Sequence, residues 1–204
     1  AAGRGSRMKE LTKDSPKCLV QLHGKALLDW QCDALRSAGI KHISIVTGYK
    51  REMLSNRCFT EFHNARWAET NMVSSLVCAS EWLQSSNCII SYSDIFYNSS
   101  AVRSLLDCSY LLALTYDPNW LQLWSDRFGD PLVDAETFRL TSKGILTEIG
   151  KKPNSVAEVQ GQYMGLLRFT PPSWAEVLSV LSTLSPLERD RIDITHLFQM
   201  LLDS

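Results

Sequence analysis

The residues with the clearest chemical potential lie in the first seventeen positions, which read AAGRGSRMKELTKDSPK. Gly3 and Gly5 let the backbone approach a phosphate closely, and their N–H groups can form an anion-binding nest. Arg4 and Arg7 add forked guanidinium cations, and Lys17 adds a point charge. The spacing matches neither G-x-x-x-x-G-K-[ST] nor G-x-G-x-x-G. The segment therefore predicts a phosphate-binding loop of another type, while a flexible basic N-terminus is the alternative for the glycines alone.

Two aspartates adjoin apolar segments of the sequence. Asp94 follows the apolar run CIISYS, and Asp193 precedes the apolar segment ITHLF. An aspartate at the carboxyl end of a strand lies where α/β sheets place their sites. Each residue also has a purely structural interpretation, Asp94 as a turn residue or helix N-cap and Asp193 as the N-cap of the last helix. From these residues alone both interpretations stay open.

Apolar runs of four to six residues alternate with amphipathic segments, which is typical of strands alternating with helices. Strands are predicted at residues 43–47, 88–92, 110–115, 145–149 and 163–169. Helices are predicted at residues 27–37, from an N-cap at 71 to 84, at 99–107, from the proline pair at 171–172 onward, and at 194–202. This alternation predicts one α/β domain around a mostly parallel sheet.

Composition narrows the classes of function. The chain carries 21 basic and 22 acidic residues, a net charge of −1, and no basic tract, which argues against a nucleic-acid partner. Its longest apolar runs fall far short of the ~20 residues that span a bilayer, and no signal-peptide pattern is seen, so a membrane partner is not expected either. The six cysteines contain no C-x-x-C pair, which predicts reduced thiols and a cytoplasmic location.

Taken together, these segments resemble the nucleotidyltransferase superfamily, whose members join an NTP to a phosphorylated acceptor and release pyrophosphate. The string A-A-G-x-G-S-R-x8-P-K, followed by L-V-Q-L-x-G-K-x-L-L, is similar to the family's N-terminal signature. Further similar pieces follow in the family's order and read GIKHISIVTGY, WAETNMVSSL, SYSDIFY, EIGKKP, GQYMGLLRFTP and RIDITHLF. The resemblance implies a Rossmann-like three-layer α/β/α sandwich with a mixed, mostly parallel sheet, of the nucleotide-diphospho-sugar transferase type.

The resemblance also implies roles for individual residues. The implied catalytic residues, which face the phosphates of the NTP or of the acceptor, are Arg7, Lys17, Lys151 and Lys152. The implied nucleotide-binding residues are Ala2, Gly3, Arg4, Gly5, Ser6, Asn71 and Ser75. The implied ligands of one Mg²⁺ are Asp94 and Asp193. For the two adjacent lysines, a solvated turn remains an equal alternative.

Within the superfamily, the chain is most similar to small cytidylyltransferases that activate phosphocholine or simple phosphonates. The stretch TYDPNWLQLWSDRFGDPLVDAETF resembles cytidylyltransferase domains of phosphonate biosynthesis, some of which are fused to another enzyme. The expected substrates are therefore CTP and a small acceptor such as hydroxyethylphosphonate, aminoethylphosphonate or phosphocholine. A sugar-1-phosphate nucleotidylyltransferase and a catalytically inactive nucleotide-binding module are the alternatives.

Two further expectations concern the acceptor pocket and the start of the domain. Tyr116, Trp120, Trp124 and Phe128 have roughly helical spacing and either wall a pocket for a cationic head group or pack in the core. The resemblance implies a strand before the glycine loop, beside residues 43–47, that this chain lacks. We therefore expect residues 1–204 to be a single nucleotidyltransferase domain cut from a longer chain, in which it is fused to another biosynthetic enzyme.

Overall fold

The computed structural model describes residues 1–5, 12–57 and 59–204. Its strands are β1 (Gln21–Leu22), β2 (Lys25–Ala26), β3 (Ser44–Thr47), β4 (Thr60–His63), β5 (Cys88–Ser91), β6 (Leu112–Asp117), β7 (Phe138–Leu140), β8 (Leu146–Ile149) and β9 (Gln162–Phe169). Its α-helices are α1 (Leu27–Ser37), α2 (Met72–Val77), α3 (Ser80–Ser85), α4 (Ser99–Asp107), α5 (Trp120–Phe128), α6 (Pro171–Thr183), α7 (Pro186–Arg191) and α8 (Ile194–Asp203).

The strands pair in both directions. β3 and β4 run parallel, with Ser44 opposite Thr60. β9 lies between β5 and β6 and is antiparallel to both, so β5 and β6 point the same way. β7 and β8 form an antiparallel hairpin. The predicted mixed α/β class is confirmed, and antiparallel pairs are more frequent than predicted because β9 pairs on both of its edges.

The apolar side chains on β9 show why the domain has three layers. Leu167 and Phe169 face a core that includes Trp174 of α6 and Phe198 of α8, all fully buried. The preceding residue, Leu166, faces the opposite way, into a cluster with side chains of α1 and α4. Because successive residues of a strand point to opposite faces, one strand supplies both cores, and helices cover each face.

The helix ends follow local sequence signals. α1 has the predicted bounds, and α6 begins at the proline pair behind a capping box formed by Thr170 and Ser173. The single helix predicted up to residue 84 is wrong in its middle, since it divides into α2 and α3. The N–H of Ala79 bonds at 2.9 Å to the carbonyl of Leu76, three residues back rather than four, and this tighter turn ends α2.

Two further findings concern the described helices and cysteines. Among the residues that the structure describes, no helix combines the length and the apolar character needed to cross a bilayer. The described cysteines are free thiols, with Cys18 and Cys32 buried. Burial raises the pKa of both thiols, so they remain protonated and inert at neutral pH.

Candidate functional site

The N-terminal loop, residues 1–5, lies against the turn that follows β3. The carbonyl of the buried Ala2 accepts a hydrogen bond from the backbone N–H of Tyr49 at 2.8 Å. A Cβ at Gly48 would lie 2.6 Å from that carbonyl oxygen, so the approach requires glycine at this position. The exposed Arg4 holds its guanidinium 5.8 Å from the centroid of the Tyr49 ring. Backbone contacts thus fix the loop and leave a cation at its surface.

Lys17 closes this loop from the other side. Gly5 has a φ of +73°, and a Cβ built on it would lie 3.1 Å from the aliphatic stem of Lys17. The Thr12 hydroxyl donates to the Gly5 carbonyl at 2.9 Å. The Lys17 ammonium donates to Oδ2 of Asp94 at 2.8 Å, and the two side chains are 23% and 33% exposed. The structure thereby joins the predicted catalytic lysine to a predicted metal ligand 77 positions away.

Tyr92 lies within electrostatic reach of three acidic side chains. Its ring packs on Gly165, where a Cβ would lie 2.7 Å from the ring, and its N–H bonds to the Gly165 carbonyl at 2.8 Å. Burial is the main cause that raises the pKa of Tyr92, and the charges of Asp193, Asp94 and Glu136 raise it further. Both predicted metal ligands therefore act on one hydroxyl, although 99 positions separate them in the sequence.

Asp193 is the N-cap of α8. Its Oδ1 accepts hydrogen bonds from the N–H of His196 at 2.8 Å and from the Thr195 hydroxyl at 3.2 Å. No hydrogen bond to its Oδ2 occurs within the described part of the chain. The structural interpretation of this residue is confirmed, and the cap leaves one carboxylate oxygen available for a ligand.

The donors at this place suit Mg²⁺. No cluster of three or more His, Cys, Asp and Glu side chains able to enclose a metal ion exists among residues 1–5, 12–57 and 59–204. Mg²⁺ does not need such a cage, because it keeps several waters and takes one or two carboxylates together with substrate phosphates. Asp94 and Asp193 are two such hard oxygen donors, so the residues present fit this ion.

Ser75 is connected to the loop through the buried Asn64. The N–H of Asn64 bonds to the Thr47 carbonyl at the end of β3, at 2.9 Å. Its side-chain amide donates to the hydroxyls of Thr70 at 2.9 Å and Ser75 at 3.0 Å. Ser75 therefore supports the turn that holds Ala2.

Asn71 lies where α2 begins, and both ends of its side chain are occupied. Its Oδ1 accepts from the Met72 N–H at 2.8 Å, and its Nδ2 donates to the Arg191 carbonyl at 3.1 Å. The Arg66 guanidinium adds two bonds, of 3.2 and 2.5 Å, to the carboxylate of Asp190. These contacts tie the start of α2 to the segment that leads into Asp193.

The two adjacent lysines have different environments. The Lys152 ammonium donates to the carbonyls of Leu132 and Val133, so it holds a short 3₁₀ segment at Pro131–Val133. Lys151 is exposed, and its side chain makes no hydrogen bond or ion pair within the described residues. Its predecessor Gly150 packs against Thr195, where a Cβ would lie 3.0 Å from the threonine Cβ. Lys151 thus follows a residue in contact with the start of α8.

The aromatic residues that were considered for an acceptor pocket divide between core and surface. Trp120 is 2% exposed, and its indole N–H donates to the Val159 carbonyl at 3.1 Å. The ring of Tyr116 stacks on Phe138 with centroids 5.1 Å apart and is 39% exposed. The core interpretation is therefore correct for Trp120, and Tyr116 presents an aromatic surface.

Sequence reasoning assigned no site role to two residues that the structure brings to this region. Tyr49 and Trp67 meet edge to face with centroids 5.3 Å apart beside Ala2, and both lie in segments that carry the family resemblance. Glu136 is half-buried, and burial raises the pKa of its carboxyl, while the Thr195 hydroxyl acts in the opposite direction. No pattern around Glu136 distinguishes it from a surface acid. Ser6 and Arg7 lie outside the described residues, and their roles stay predictions.

A glycine loop, a lysine–aspartate pair and a mixed α/β sheet are the features of a nucleotide-handling enzyme. The profile of the MobA-like NTP transferase domain matches residues 1–141. The chain belongs to this family and is a nucleotidyltransferase.

Three of the similar proteins are named as cytidylyltransferases. A CTP:phosphoglutamine cytidylyltransferase from Campylobacter jejuni is 40% identical over 189 residues, covering 88% of this chain and 74% of that protein. A choline-phosphate cytidylyltransferase from Streptococcus pneumoniae is 30% identical, covering 70% and 65%. A 2-aminoethylphosphonate cytidylyltransferase from Lancefieldella rimae is 33% identical, covering 47% and 41%.

A solved structure agrees with the fold. The inositol-1-phosphate CTP transferase from T. maritima superposes with a TM-score of 0.76 at 17% identity, covering all of this chain and 79% of that one. The predicted nucleotide-diphospho-sugar transferase fold is confirmed by this likeness.

Proposed function

We propose that this nucleotidyltransferase transfers a cytidylyl group from CTP to a phosphate or phosphonate oxygen of a small acceptor. The acceptor oxygen attacks the α-phosphorus, a new P–O bond forms, the bond to the bridging β-phosphate oxygen breaks, and pyrophosphate leaves. The observation that carries the proposal is the 2.8 Å pair of Lys17 and Asp94 beside the glycine loop. The names of the three relatives support CTP as the donor.

The reaction brings two anions together, so the site must supply positive charge before bonds change. We assign Lys17 to the phosphate oxygens at the reacting centre, because its stem is already fixed on Gly5. Arg4, exposed at the loop surface, is assigned to the β- and γ-phosphates together with Arg7. The backbone N–H groups of the loop, from Gly3 to Ser6, would complete the cradle.

Mg²⁺ is the proposed cofactor. When bound, it would act as a Lewis acid on the phosphate oxygens and as a template for their geometry. Asp94 and Asp193 would hold it, and Asp193 would do so through the carboxylate oxygen that its helix cap leaves available. Asp94 would give up its ion pair with Lys17 and bind the ion instead.

The nucleoside is proposed to lie beside the ring pair of Tyr49 and Trp67. Backbone groups of Ala2 and Gly3 would face the base there. The side chains of Asn71 and Ser75 are engaged by protein atoms, so we propose that they shape this wall and do not bind the nucleotide directly.

The acceptor is proposed to bind between Lys151 and Glu136. Lys151 would neutralise the attacking phosphate or phosphonate, since Lys152 already holds two backbone carbonyls. Phosphoglutamine, choline phosphate and 2-aminoethylphosphonate all join a phosphate or phosphonate to a short group that carries nitrogen. Glu136 has no basic partner among the described residues, and a cationic nitrogen of the acceptor would supply one.

A pyrophosphate-release assay that crosses the four NTPs with a panel of acceptors tests the proposal. The panel contains phosphoglutamine, phosphocholine, aminoethylphosphonate, hydroxyethylphosphonate and two hexose 1-phosphates. We expect CTP to exceed the other NTPs by about tenfold or more, which corresponds to ~1.4 kcal/mol. We expect turnover with at least one nitrogen-bearing acceptor.

Two outcomes would contradict the proposal. A preference for hexose 1-phosphates would assign the chain to sugar activation, and no pyrophosphate with any pair would make it an inactive binding module. The Glu136→Gln variant tests the assignment of Glu136 to the acceptor. It should raise KM for the nitrogen-bearing acceptors and leave KM for hydroxyethylphosphonate unchanged.

A further inference from the structure

A small pocket of about 190 Å³ lies at the end of β3 that is remote from the N-terminal loop. It is lined by Ile43, which precedes β3, and by Thr60, the first residue of the parallel strand β4. The N-terminal loop contacts the other end of β3, where Gly48 and Tyr49 meet Ala2. At ~3.3 Å per residue of strand, the chain from Ile43 to Gly48 separates the pocket from the loop by roughly 16 Å. The pocket is therefore distinct from the candidate site.

Side chains that donate hydrogen bonds line this pocket. Arg36 from the last turn of α1 and Lys41 and His42 from the segment between α1 and β3 contribute to it, and all three are exposed. The guanidinium and the ammonium are permanent cations, and an imidazole keeps an N–H donor in either protonation state. Thr60 adds a hydroxyl. No carboxylate is present among the described residues that line the pocket.

These basic side chains have no partner within the described part of the chain. Arg36, Lys41 and His42 make no ion pair and no side-chain hydrogen bond there. Asp29 and Asp33, the acidic residues of α1, pair with other cations. The position of Arg36 in the last turn of a helix is favourable without a ligand, but this does not account for Lys41. A concave site lined by charge of one sign concentrates counter-ions, so this pocket favours an anion.

The size of the pocket and the origin of its donors indicate the class of anion. At about 190 Å³ it is smaller than the ~300–1,000 Å³ of pockets for drug-sized ligands, so it suits an anion of few atoms and not a whole nucleotide. Its donors come from α1, from the segment after α1 and from β4, so they approach from separate elements. A tetrahedral phosphate accepts hydrogen bonds from several directions, whereas a carboxylate accepts them close to one plane. Phosphate chemistry therefore fits this donor set best.

The remaining wall of the pocket is held in place by packing. Trp82 of α3 lines the pocket, and its ring meets the ring of Phe62 of β4 edge to face, with centroids 5.9 Å apart. A wall fixed by such a contact need not rearrange when an anion binds.

We propose that this pocket is a second anion site, which binds inorganic phosphate or pyrophosphate at a place that takes no part in the transfer. Arg36 and Lys41 would neutralise the anion, and His42 and Thr60 would donate hydrogen bonds to its oxygens. The bound anion would join the end of α1 to the starts of β3 and β4. The inference rests on these side chains and is independent of the proposed reaction.

An NMR titration of the 204-residue chain with phosphate, pyrophosphate or acetate, at an ionic strength held constant with sodium chloride, tests the inference. Amide shifts at residues 41–43 and 59–60 report on the pocket, and those at residues 2–5 and 17 report on the candidate site. We expect the pocket amides to shift and saturate with phosphate or pyrophosphate. Lys41→Gln should weaken this binding about fivefold or more and leave the shifts at residues 2–5 unchanged.

The matched control is Lys143→Gln, which removes one exposed lysine charge from the turn at residues 141–144 and should leave the pocket affinity unchanged. An equal loss of affinity in this control would overturn the inference, because the anion would then respond to net charge alone. Saturable shifts confined to residues 2–5 and 17, or equal affinity of the pocket for acetate, would overturn it as well. Should Lys41→Gln fail to fold, Arg36→Gln must give the same loss at the same amides.

Discussion

Lys17 is fixed at two points, its stem on Gly5 and its ammonium on Asp94. We predict that Lys17→Ala lowers turnover about 10²- to 10³-fold, since loss of one preorganised cation at a reacting phosphate costs ~3 kcal/mol or more. Pyrophosphate release measures the loss. Lys25→Ala is the matched control, because Lys25 pairs with Asp33 and has no assigned role in the site. Near-normal turnover of the Lys17 variant would remove the lysine from the mechanism.

Glu136 predicts a dependence of stability on pH. Burial raises the pKa of its carboxyl, so the folded state binds the proton more tightly than the unfolded state. Its contribution to stability is therefore full at low pH and is lost as the pH rises through the folded-state pKa.

For this reason, the Glu136→Gln variant should have a higher melting temperature than the wild type at pH 8. A difference of ~1 kcal/mol corresponds to about 2–4 °C in a protein of this size. The difference should shrink as the buffer becomes acidic, which melting curves across a pH series would follow. A difference in melting temperature that does not change with pH would show that it arises from packing and not from ionisation of Glu136.

Some residue roles could not be derived from sequence. Asn71 was expected at the nucleotide, but whether an asparagine faces a ligand or a backbone carbonyl depends on the position of Arg191, 120 residues away. Which of Lys151 and Lys152 has its side chain available for the acceptor phosphate likewise depends on the fold of the segment at Pro131–Val133. Conversely, the family resemblance implied that Lys17 and Asp94 serve one site, and the structure pairs their side chains.

At the scale of elements, Asp193 combines helix capping with proposed metal binding. Asparagine caps a helix about as well as aspartate, so Asp193→Asn should leave the melting temperature nearly unchanged. The same variant should lose most turnover and weaken the dependence on Mg²⁺, because the carboxylate charge is gone. Asp193→Ala should in addition lose ~1 kcal/mol of stability.

The control for this prediction is another capping residue. Asn98 caps α4 by accepting bonds from the N–H groups of Ser100 and Ala101 at 3.1 and 3.4 Å. Asn98→Ala should lose a similar amount of stability and keep its turnover at any Mg²⁺ concentration. Full activity of Asp193→Asn at limiting Mg²⁺ would refute the assignment of Asp193 as a ligand.

Elements with a strong local signal were predicted well, and those fixed by tertiary contacts were not. The bounds of α1 follow from its own periodicity. β6 starts at Leu112 and not at residue 110, because Tyr110 and Leu111 are 56% and 51% exposed, which an apolar run alone does not reveal. β4 reads TEFH, has one partly buried apolar residue and exists because it pairs with β3.

At the scale of the whole molecule, the candidate site draws on four separated parts of the chain. These are the N-terminal loop, Lys17, the turn after β5 and the start of α8. CTP with Mg²⁺ would therefore bind the folded protein and not the unfolded chain. At 100 times the dissociation constant, this linkage adds ~2.7 kcal/mol of stability.

The melting temperature should accordingly rise by roughly 5–10 °C in the presence of CTP and Mg²⁺. The Asp94→Asn variant should show a much smaller rise, and ATP should be less effective than CTP. Thermal melts with each nucleotide make the measurement. An unchanged melting temperature at millimolar CTP would mean that these four parts do not form one nucleotide site.

The overall class was accessible from sequence because alternating apolar runs require a sheet with helices on its faces. The direction of β9 was not, since an antiparallel strand buried on both faces has the same apolar pattern as a parallel one. Gly165, with a φ of +77°, makes room in this strand for Tyr92. A lone glycine in a strand pattern does not indicate which side chain packs against it, so this contact could not be predicted from sequence.

The pairing of Lys17 with Asp94 has a consequence for the cooperativity of the two proposed ligands. CTP that engages Lys17 leaves Asp94 without its cation, and Mg²⁺ that engages Asp94 leaves Lys17 without its anion. The ligand that binds first therefore breaks the ion pair, and the second ligand binds a side chain that is already free. By reciprocity, the factor by which Mg²⁺ tightens CTP equals the factor by which CTP tightens Mg²⁺. Binding of both ligands thus replaces the Lys17–Asp94 ion pair with a contact of Lys17 to CTP and a contact of Asp94 to Mg²⁺.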